Sequence, residues 1–316
     1  MVFGSETDLQ LPTVSVLIVN WNGRRWLESC LPALAEQRFR QFEIIVVDNA
    51  SEDDSVAWLA EHWPEVRVLT QSQNTGFAAA NNRGIEAARG SWIATLNNDT
   101  VVEADWLASL VAAADGPEVG MVASLVVFWD DPDRVDAAGI EVDVSGMAWN
   151  RGHGRPVEEV PAPIEVFGPN AAAALYRRQM LAEIGAFDEE FFAYYEDVDL
   201  AWRARRAGWR CRYAPAAVVR HWHSATGGQL PWLKSYLISR NKLWTITKNY
   251  DGRHLLVRLP FIALVDLAAL LYRLATDRNL APLKGRLAAL RGLARMRAKR
   301  TPGRAVSLAP VRRPGR

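Results

Sequence analysis

The sequence predicts an α/β fold with a mostly parallel central sheet flanked by helices. Three observations carry this. Short β-branched apolar runs alternate with stretches of helical spacing over the first hundred residues. The connections between them are short, as right-handed crossovers in a parallel sheet require. Polar clusters containing Asn or Asp close three of the runs and soon follow the fourth, and these residues stop strands.

Taken in order, residues 14–19 form a first strand that ends in Asn20-Trp21-Asn22-Gly23. Residues 25–37 place Trp26, Leu27, Leu31 and Leu34 on one side of a helix. Residues 42–47 are a second strand ending in Asp48-Asn49-Ala50-Ser51, and residues 53–62 a second helix. Residues 66–69 are a third strand, leading to Gln73-Asn74-Thr75-Gly76-Phe77, with a helix over 78–89. The fourth strand, residues 91–96, stops at Asn97-Asn98-Asp99. A helix over 105–114 and a strand over 120–128 follow. Residues 130–163 are rich in Gly and Pro without clear periodicity, which reads as a functional excursion with a hairpin. Residues 166–176 are small and apolar around Gly168-Pro169-Asn170, and a short helix over 179–184 ends at Gly185. Glu196-Asp197 opens a helix with Val198, Leu200, Ala201 and Ala204 as its apolar positions.

Composition narrows the class. The 316 residues are 49% hydrophobic, enough for one large domain or two small ones. The two cysteines, Cys30 and Cys211, form no zinc or redox spacing and point to a reducing compartment. Residues 1–10 are polar and carry acids, so they do not read as a signal peptide. The net charge of +1 hides an asymmetry: residues 253–316 carry 15 Lys and Arg against 2 Asp and Glu, and the first 252 carry 22 against 34. An acidic body with a basic tail fits docking onto an anionic surface, a membrane or a nucleic acid. The acidic body and the lack of a DNA- or RNA-binding motif disfavour nucleic acid. No dinucleotide glycine fingerprint follows the first strand, and no Gly-rich loop ends in Lys-Ser/Thr, which disfavours NAD enzymes and P-loop ATPases. A nucleotidyltransferase would need a loop of Gly and basic residues where Asn20-Trp21-Asn22 stands.

In a parallel sheet all carboxyl ends face one way, so the polar clusters converge on one crevice. Asp99 with Asn97 and Asn98 is an oxygen-rich set suited to Mg²⁺ or Mn²⁺ holding a diphosphate; the alternative is a cap for the next helix. Glu196 and Asp197 sit at a helix N-terminus, where the macrodipole favours carboxylates. The five aromatics from Phe187 to Tyr195 would give a sugar platform or exclude water, and Asp197 is placed to take a proton from an acceptor hydroxyl. Asp199 reads as an i, i+4 ion pair with Arg203. His221, in Arg220-His221-Trp222-His223-Ser224-Ala225-Thr226-Gly227-Gly228, would add an imidazole to the metal, contact a phosphate, or be structural.

These residues together resemble an inverting glycosyltransferase of family 2 with the GT-A fold, the nucleotide-diphospho-sugar transferase fold, and are most similar to the bacterial rhamnosyltransferase-like branch. The motifs are Val-Leu-Ile-Val-Asn-Trp-Asn ending at Asn22, Val-Val-Asp-Asn-Ala-Ser ending at Ser51, Asn-Thr-Gly-Phe-Ala-Ala-Ala-Asn-Asn ending at Asn82, Leu-Asn-Asn-Asp-Thr ending at Thr100, and Glu-Asp-Val-Asp-Leu ending at Leu200. His221 with Ser224, Thr226 and Gly227, then Arg240-Asn241, complete the order over residues 13–245. The resemblance implies that Asp48 binds the nucleotide base and that Asn20 and Asn22 line the same pocket. It implies that Asn74, Gly76, Asn81 and Asn98 lie along the nucleotide-sugar. Asp99 would be the last carboxylate of the family's Asp-x-Asp metal motif, with Asn97 in the first position and His221 in support. Asp197 would be the catalytic base, and Tyr194, Tyr195, Glu196 and Trp222 an acceptor or sugar platform. The implied donor is dTDP-rhamnose first, with UDP-hexoses including UDP-galactofuranose as the alternative. The implied acceptor is a glycan or a polyprenyl-diphosphate-linked saccharide of the cell envelope. A non-catalytic paralogue would keep the same residues as scaffold.

The GT-A domain is expected over residues 13–250, with a basic helical extension over 251–300 and a disordered Pro/Gly/Arg-rich tail over 301–316. Residues 255–274 are strongly apolar but contain Arg258, Pro260, Asp266 and Arg273, which reads as an interfacial or packing helix rather than a span. Residues 284–300 carry Leu287, Leu290, Leu293 and Met296 at helical spacing among basic residues. That suits an anionic bilayer; the alternative is a flank helix or a homodimer contact. The expected location is cytoplasmic, peripheral on the inner face of the membrane.

Overall fold

The computed structural model describes residues 12–222 and 230–309. Its first half is the alternation read from the sequence: β1 (Val14–Asn20), α1 (Arg24–Ala35), β2 (Phe42–Asp48), α2 (Ser55–His62), β3 (Arg67–Thr70), α3 (Gly76–Ala87) and β4 (Trp92–Asn97). β1 pairs parallel with both β2 and β4, and β2 with β3. Strand side chains alternate between two apolar layers. Val14, Val16 and Ile18 meet α1 and α2, while Leu17 faces the layer that holds α3.

The second half continues with β5 (Thr100–Val102), α4 (Trp106–Ala113), β6 (Val119–Phe128), β7 (Val135–Ala137), β8 (Ile140–Val142), β9 (Ala148–Asn150), β10 (Glu165–Val166), β11 (Ala173–Arg177), α5 (Arg178–Ile184), α6 (Glu196–Ala207) and β12 (Arg210–His221). The sheet order is β10-β12-β6-β11-β4-β1-β2-β3. β11 lies antiparallel between β4 and β6, so the sheet is mixed where it leaves the parallel half. Its Ala-Ala-Leu-Tyr run is buried on both faces, and such a run has no alternation to mark it as a strand. The excursion contains the expected hairpin, β8 with β9, and β7 adds to β6.

Three helices complete the chain: α7 (Pro231–Asn249), α8 (Gly252–Asp277) and α9 (Ala281–Ala298). α9 closes on α7 through Gly285 and Gly292, two helical turns apart. A Cβ at Gly285 would meet the Tyr236 carbonyl at 2.3 Å, and one at Gly292 the Trp244 indole at 2.7 Å. Met296 is buried in this seam while Leu287 and Leu290 are exposed, so the spaced apolar residues of α9 do not form one face. The expected disorder of the tail does not extend to residues 301–309. The Arg304 amide donates to the Arg206 carbonyl, Val306 and Leu308 pack on the core, and the Val144 amide donates to the Ala309 carbonyl. The two apolar side chains and the paired backbone groups outweigh the local composition. Residues 310–316 lie outside the described residues.

Candidate active site

The carboxyl ends of β1, β2 and β4 meet in one polar region. Asn20 at the end of β1 donates to Asp48 at the end of β2 (3.3 Å), and accepts from Asn98 in the β4–β5 turn (2.8 Å). Asn49 ties this region to the start of α3. Its Nδ2 donates to Asn74 Oδ1 at 2.9 Å, and its Oδ1 accepts from the Thr75 amide at 2.9 Å. Gly76 has φ +85°, and a Cβ there would strike Phe192 at 2.5 Å, so only glycine lets α3 start against that residue.

Beyond this rim lies a cavity of about 520 Å³. Asn49, Asn74, Gly76, Asn98 and Asp99 form its polar side. Tyr194, Tyr195, Glu196 and Asp197 line it at the head of α6, and His221 enters from β12. Leu233, Leu237 and Ile238 of α7 give it an apolar wall, with Lys234 among them.

β5 pairs antiparallel with β12 so that His221 stands opposite Thr100, which brings the imidazole to Asp99. His221 Nε2 is 3.3 Å from Asp99 Oδ1, and Nδ1 is 2.7 Å from Asp136 Oδ2. Burial alone would lower the imidazole pKa, but the hydrogen bonds to Asp136 and Asp99 outweigh it and hold it at about 9. A carboxylate and an imidazole so close, both buried and both facing the cavity, fit a shared divalent cation once that cation displaces the Nε2 proton, Nδ1–H staying on Asp136. Among the described residues no group of three His, Cys, Asp or Glu could hold an ion by itself. Such a site would be completed by oxygens of a bound diphosphate or water. His223, Ser224, Thr226 and Gly227 of the same motif lie outside the described residues.

Asp197 is held at the head of α6. Its Oδ1 accepts from the Val198 amide at 2.8 Å and its Oδ2 from the Ala171 amide at 3.3 Å. Glu196 is buried beside it, and its Oε2 has no hydrogen-bond partner among the described residues. Burial raises both carboxyl pKa values, and the Asp197 charge raises Glu196 further, so the pair keeps a proton to higher pH than exposed acids do. Tyr195 accepts from the Ala148 amide, and burial pushes its hydroxyl up to about 12.

The loop before α6 is strained. Phe192, Tyr194 and Tyr195 have φ of 67°, 67° and 69°. Two α7 side chains hold it. Arg240 donates to the Glu190 and Phe191 carbonyls, and Asn241 to those of Phe191, Ala193 and Tyr194.

Not every expected residue faces the cavity. Asn20, Asn22 and Asp48 are not in its lining: Asn20 and Asp48 are buried, with Asp48 accepting from the Ser51 amide, and Asn22 is exposed, accepting from the Glu52 amide. Asn81, expected along the nucleotide-sugar, is buried in α3 and donates to the Phe77 carbonyl one turn back. Trp222, expected in the platform, stacks on Trp129 (centroids 3.3 Å apart) and leans on Trp26, outside the lining. Phe187 and Phe191 are core, which leaves Phe192, Tyr194 and Tyr195 as the members of that run that reach the cavity, where Trp21, Phe77 and Trp149 also line it. As expected, Asp199 pairs with Arg203 at 2.8 Å; it also pairs with Lys248 at 2.9 Å. Sequence reasoning missed Asn49, Asp136 and the α7 wall. Asn49 stood within a motif without a role, whereas Asp136 lies in an excursion with no pattern to single it out.

Comparison with known proteins fits this arrangement. The sequence matches the family described as "Glycosyl transferase family 2" over residues 15–185, more than half of the chain. It is 30% identical over 231 residues to the O-antigen biosynthesis protein RfbC of Myxococcus xanthus, covering 68% of this chain and 18% of that one. It is also 30% identical over 233 residues to the uncharacterized protein y4gI of Sinorhizobium fredii, covering 69% and 25%. This chain therefore spans a quarter or less of those two relatives. It is 28% identical over 254 residues to the N-acetylglucosaminyl-diphospho-decaprenol L-rhamnosyltransferase of Mycobacterium tuberculosis, covering 72% of this chain and 81% of that one. Among solved structures, the mannosyltransferase PcManGT of Pyrobaculum calidifontis, in complex with GDP-Man and Mn²⁺, aligns with a TM-score of 0.58 at 20% identity, over 91% of this chain and 76% of that one. GalNAc-T7 with UDP, GalNAc and Mn²⁺ aligns with a TM-score of 0.60 at 18% identity, over 78% and 49%. With its family motifs gathered at the carboxyl edge of the sheet and its sequence matched over more than half its length, the chain belongs to glycosyltransferase family 2 and has the GT-A fold.

Proposed function

We propose that the protein transfers a sugar with inversion from a nucleotide-sugar to a hydroxyl of a glycan or polyprenyl-diphosphate-linked saccharide, in cell-envelope polysaccharide synthesis. The observation that carries this reading is that Asp197 and the Asp99–His221 pair line one cavity of about 520 Å³. L-Rhamnose from dTDP-rhamnose is the first choice of donor, supported by the name of the mycobacterial relative, to which the match extends over most of both chains.

In this reading Asn49, Asn74 and Asn98 orient the donor by hydrogen bonds at the carboxyl edge of the sheet. Asp99 and His221 would hold Mg²⁺ or Mn²⁺; Mn²⁺ is present in both structural neighbours. When bound, the cation supplies positive charge against the leaving diphosphate. Asp197 accepts the proton of the acceptor hydroxyl as that oxygen attacks the anomeric carbon from the face opposite the diphosphate. Its two backbone hydrogen bonds fix the carboxylate for that step. Tyr194, Tyr195 and the apolar α7 wall limit water around the anomeric carbon, which favours transfer over hydrolysis.

A thermal-shift screen of nucleotide-sugars with Mg²⁺ and with Mn²⁺, followed by a transfer assay on a polyprenyl-diphosphate saccharide, tests this. dTDP-rhamnose should give the largest stabilisation, and product should form only with acceptor present. A larger shift with a UDP-hexose or UDP-galactofuranose would change the donor and keep the reaction. Donor binding with neither transfer nor hydrolysis would make the chain a non-catalytic binder.

A further inference from the structure

α8 is turned inside out for a helix facing water. The most apolar 18-residue stretch of Gly252–Thr276 has a mean hydropathy of 2.0, the composition of a membrane-crossing helix. Its two mid-helix charges point inward. Arg258 donates to the Tyr250 hydroxyl at 2.9 Å, and Asp266 pairs with Lys242 at 3.2 Å and with Arg286 at 2.7 Å. Leu255 and Ile262 share that inner stripe and pack on the core. The outer face is apolar instead. Leu256, Val257, Leu259, Leu264, Leu267 and Leu271 are each 51–80% exposed, and Phe261 and Tyr272 lie among them. A monomer in water rarely leaves so long an apolar ridge uncovered.

We propose that this ridge beds side-on into the surface of an anionic lipid bilayer, as a monotopic anchor. The inner stripe argues against a span: a crossing helix would have to leave its packing and carry Asp266 and Arg258 into hydrocarbon. Charge argues for a bilayer over a second copy of the chain. Arg253, Arg273, Arg278, Lys284 and Arg291 are exposed on and around α8 and α9. Two such faces brought together would oppose like charges, whereas anionic headgroups complement them. The exposed Leu280, Leu287 and Leu290 extend the apolar surface onto α9 and the turn before it.

The test uses the full chain with vesicles and needs neither donor nor acceptor, so it stands apart from the proposed reaction. In flotation assays the protein should rise with vesicles of phosphatidylcholine and phosphatidylglycerol, and at least tenfold less with phosphatidylcholine alone. The combined substitution Leu256→Glu, Leu264→Glu, Leu267→Glu and Leu271→Glu should cut the bound fraction at least tenfold with an unchanged circular dichroism spectrum. The pair Lys284→Glu and Arg291→Glu, which leaves the ridge intact, should weaken binding to anionic vesicles severalfold. Absence of wild-type flotation, or flotation that survives the leucine substitutions, overturns the proposal. So does a stable wild-type dimer in vesicle-free light scattering that those substitutions dissociate.

Discussion

The side-chain amide of Asn241, on α7, donates to the Tyr194 carbonyl at 2.6 Å, two residues before the helix that carries Asp197. The same nitrogen reaches the Phe191 and Ala193 carbonyls at 2.9 Å. One buried side chain thus gathers three carbonyls of a segment in which Phe192, Tyr194 and Tyr195 adopt positive φ. Each such residue costs on the order of 1–3 kcal/mol, and persists only where surrounding contacts over-determine it.

Asn241→Ala should therefore act on chemistry more than on donor binding. The released loop would let the head of α6 relax, and a misplacement near 1 Å costs about 10²-fold in rate. Steady-state kinetics should show kcat falling by about that factor, with donor affinity by calorimetry within about threefold. Unfolding should be easier by roughly 2–4 kcal/mol, from the unsatisfied buried carbonyls. A variant that loses donor affinity and kcat in equal measure would place Asn241 in the donor pocket instead.

Asp197→Asn should remove transfer by about 10²–10⁴-fold, the usual contribution of a general base. Its cavity position should survive, since an amide oxygen still accepts from Val198 or Ala171. Calorimetry should give donor affinity near that of the wild type; an equal loss of affinity would make Asp197 a binding residue. The pH profile carries a sign. The base acts when ionised, and burial raises its pKa, so the acid limb of kcat should lie above the ordinary aspartate value of about 3.9. Glu196 is raised further by the Asp197 charge and still holds its proton when Asp197 ionises. Glu196→Gln should leave the limb in place. A limb that moves by more than about one pH unit would mean that Glu196 ionises with Asp197.

The parallel half of the fold was legible because each β1–β4 strand is a short apolar run with a polar stop, and the stops of a parallel sheet converge by geometry. Asp99 was read from such a stop, while Glu196 and Asp197 were read from a separate acidic cluster that opens a helix. The miss at β11 has the opposite cause: a strand buried on both faces has no period to read. Asn81 and Trp222 stand outside the cavity lining because a motif fixes position along the chain, not the direction of a side chain. An Asn inside a helix satisfied itself on the carbonyl four residues back, and a Trp after β12 found two other indoles. Asp136 reaches His221 from 85 residues away, through an excursion whose course no local pattern dictates.

That contact makes Asp136 a positioning residue for His221. A carboxylate on the second imidazole nitrogen fixes the ring and raises its basicity as a ligand, and its loss typically weakens metal binding by about 10–100-fold. Asp136→Asn should do the same for Mn²⁺ bound with a nucleoside diphosphate, read by electron paramagnetic resonance titration of free Mn²⁺. His221→Ala should weaken it at least as much. Unchanged Mn²⁺ affinity in both would remove His221 from the site and leave Asp99 as its sole side-chain donor.

Asp199 predicts how the fold responds to acid. It is fully buried, with Arg203 at 2.8 Å, Lys248 at 2.9 Å and the Asn249 amide at 2.7 Å. Burial alone would raise its pKa, but the two cations and the amide outweigh it and hold the carboxyl at about 2. The folded pKa lies below the unfolded value of about 3.9. Its contribution, roughly 2–3 kcal/mol, is thus present above about pH 4 and lost as pH falls toward 2. Asp199→Asn would leave Arg203 and Lys248 buried with one carboxylate fewer, which costs about 3–5 kcal/mol at neutral pH. Because the Lys248 and Asn249 side chains of α7 both donate to Asp199 on α6, the loss should loosen α7 from α6 as well as destabilise the core. Denaturant melts of both proteins at several pH values check this: the gap should be widest at pH 6–7 and should narrow below about pH 4. A gap that stays constant down to pH 2 would show that the Asp199 charge contributes nothing, and that only its shape matters.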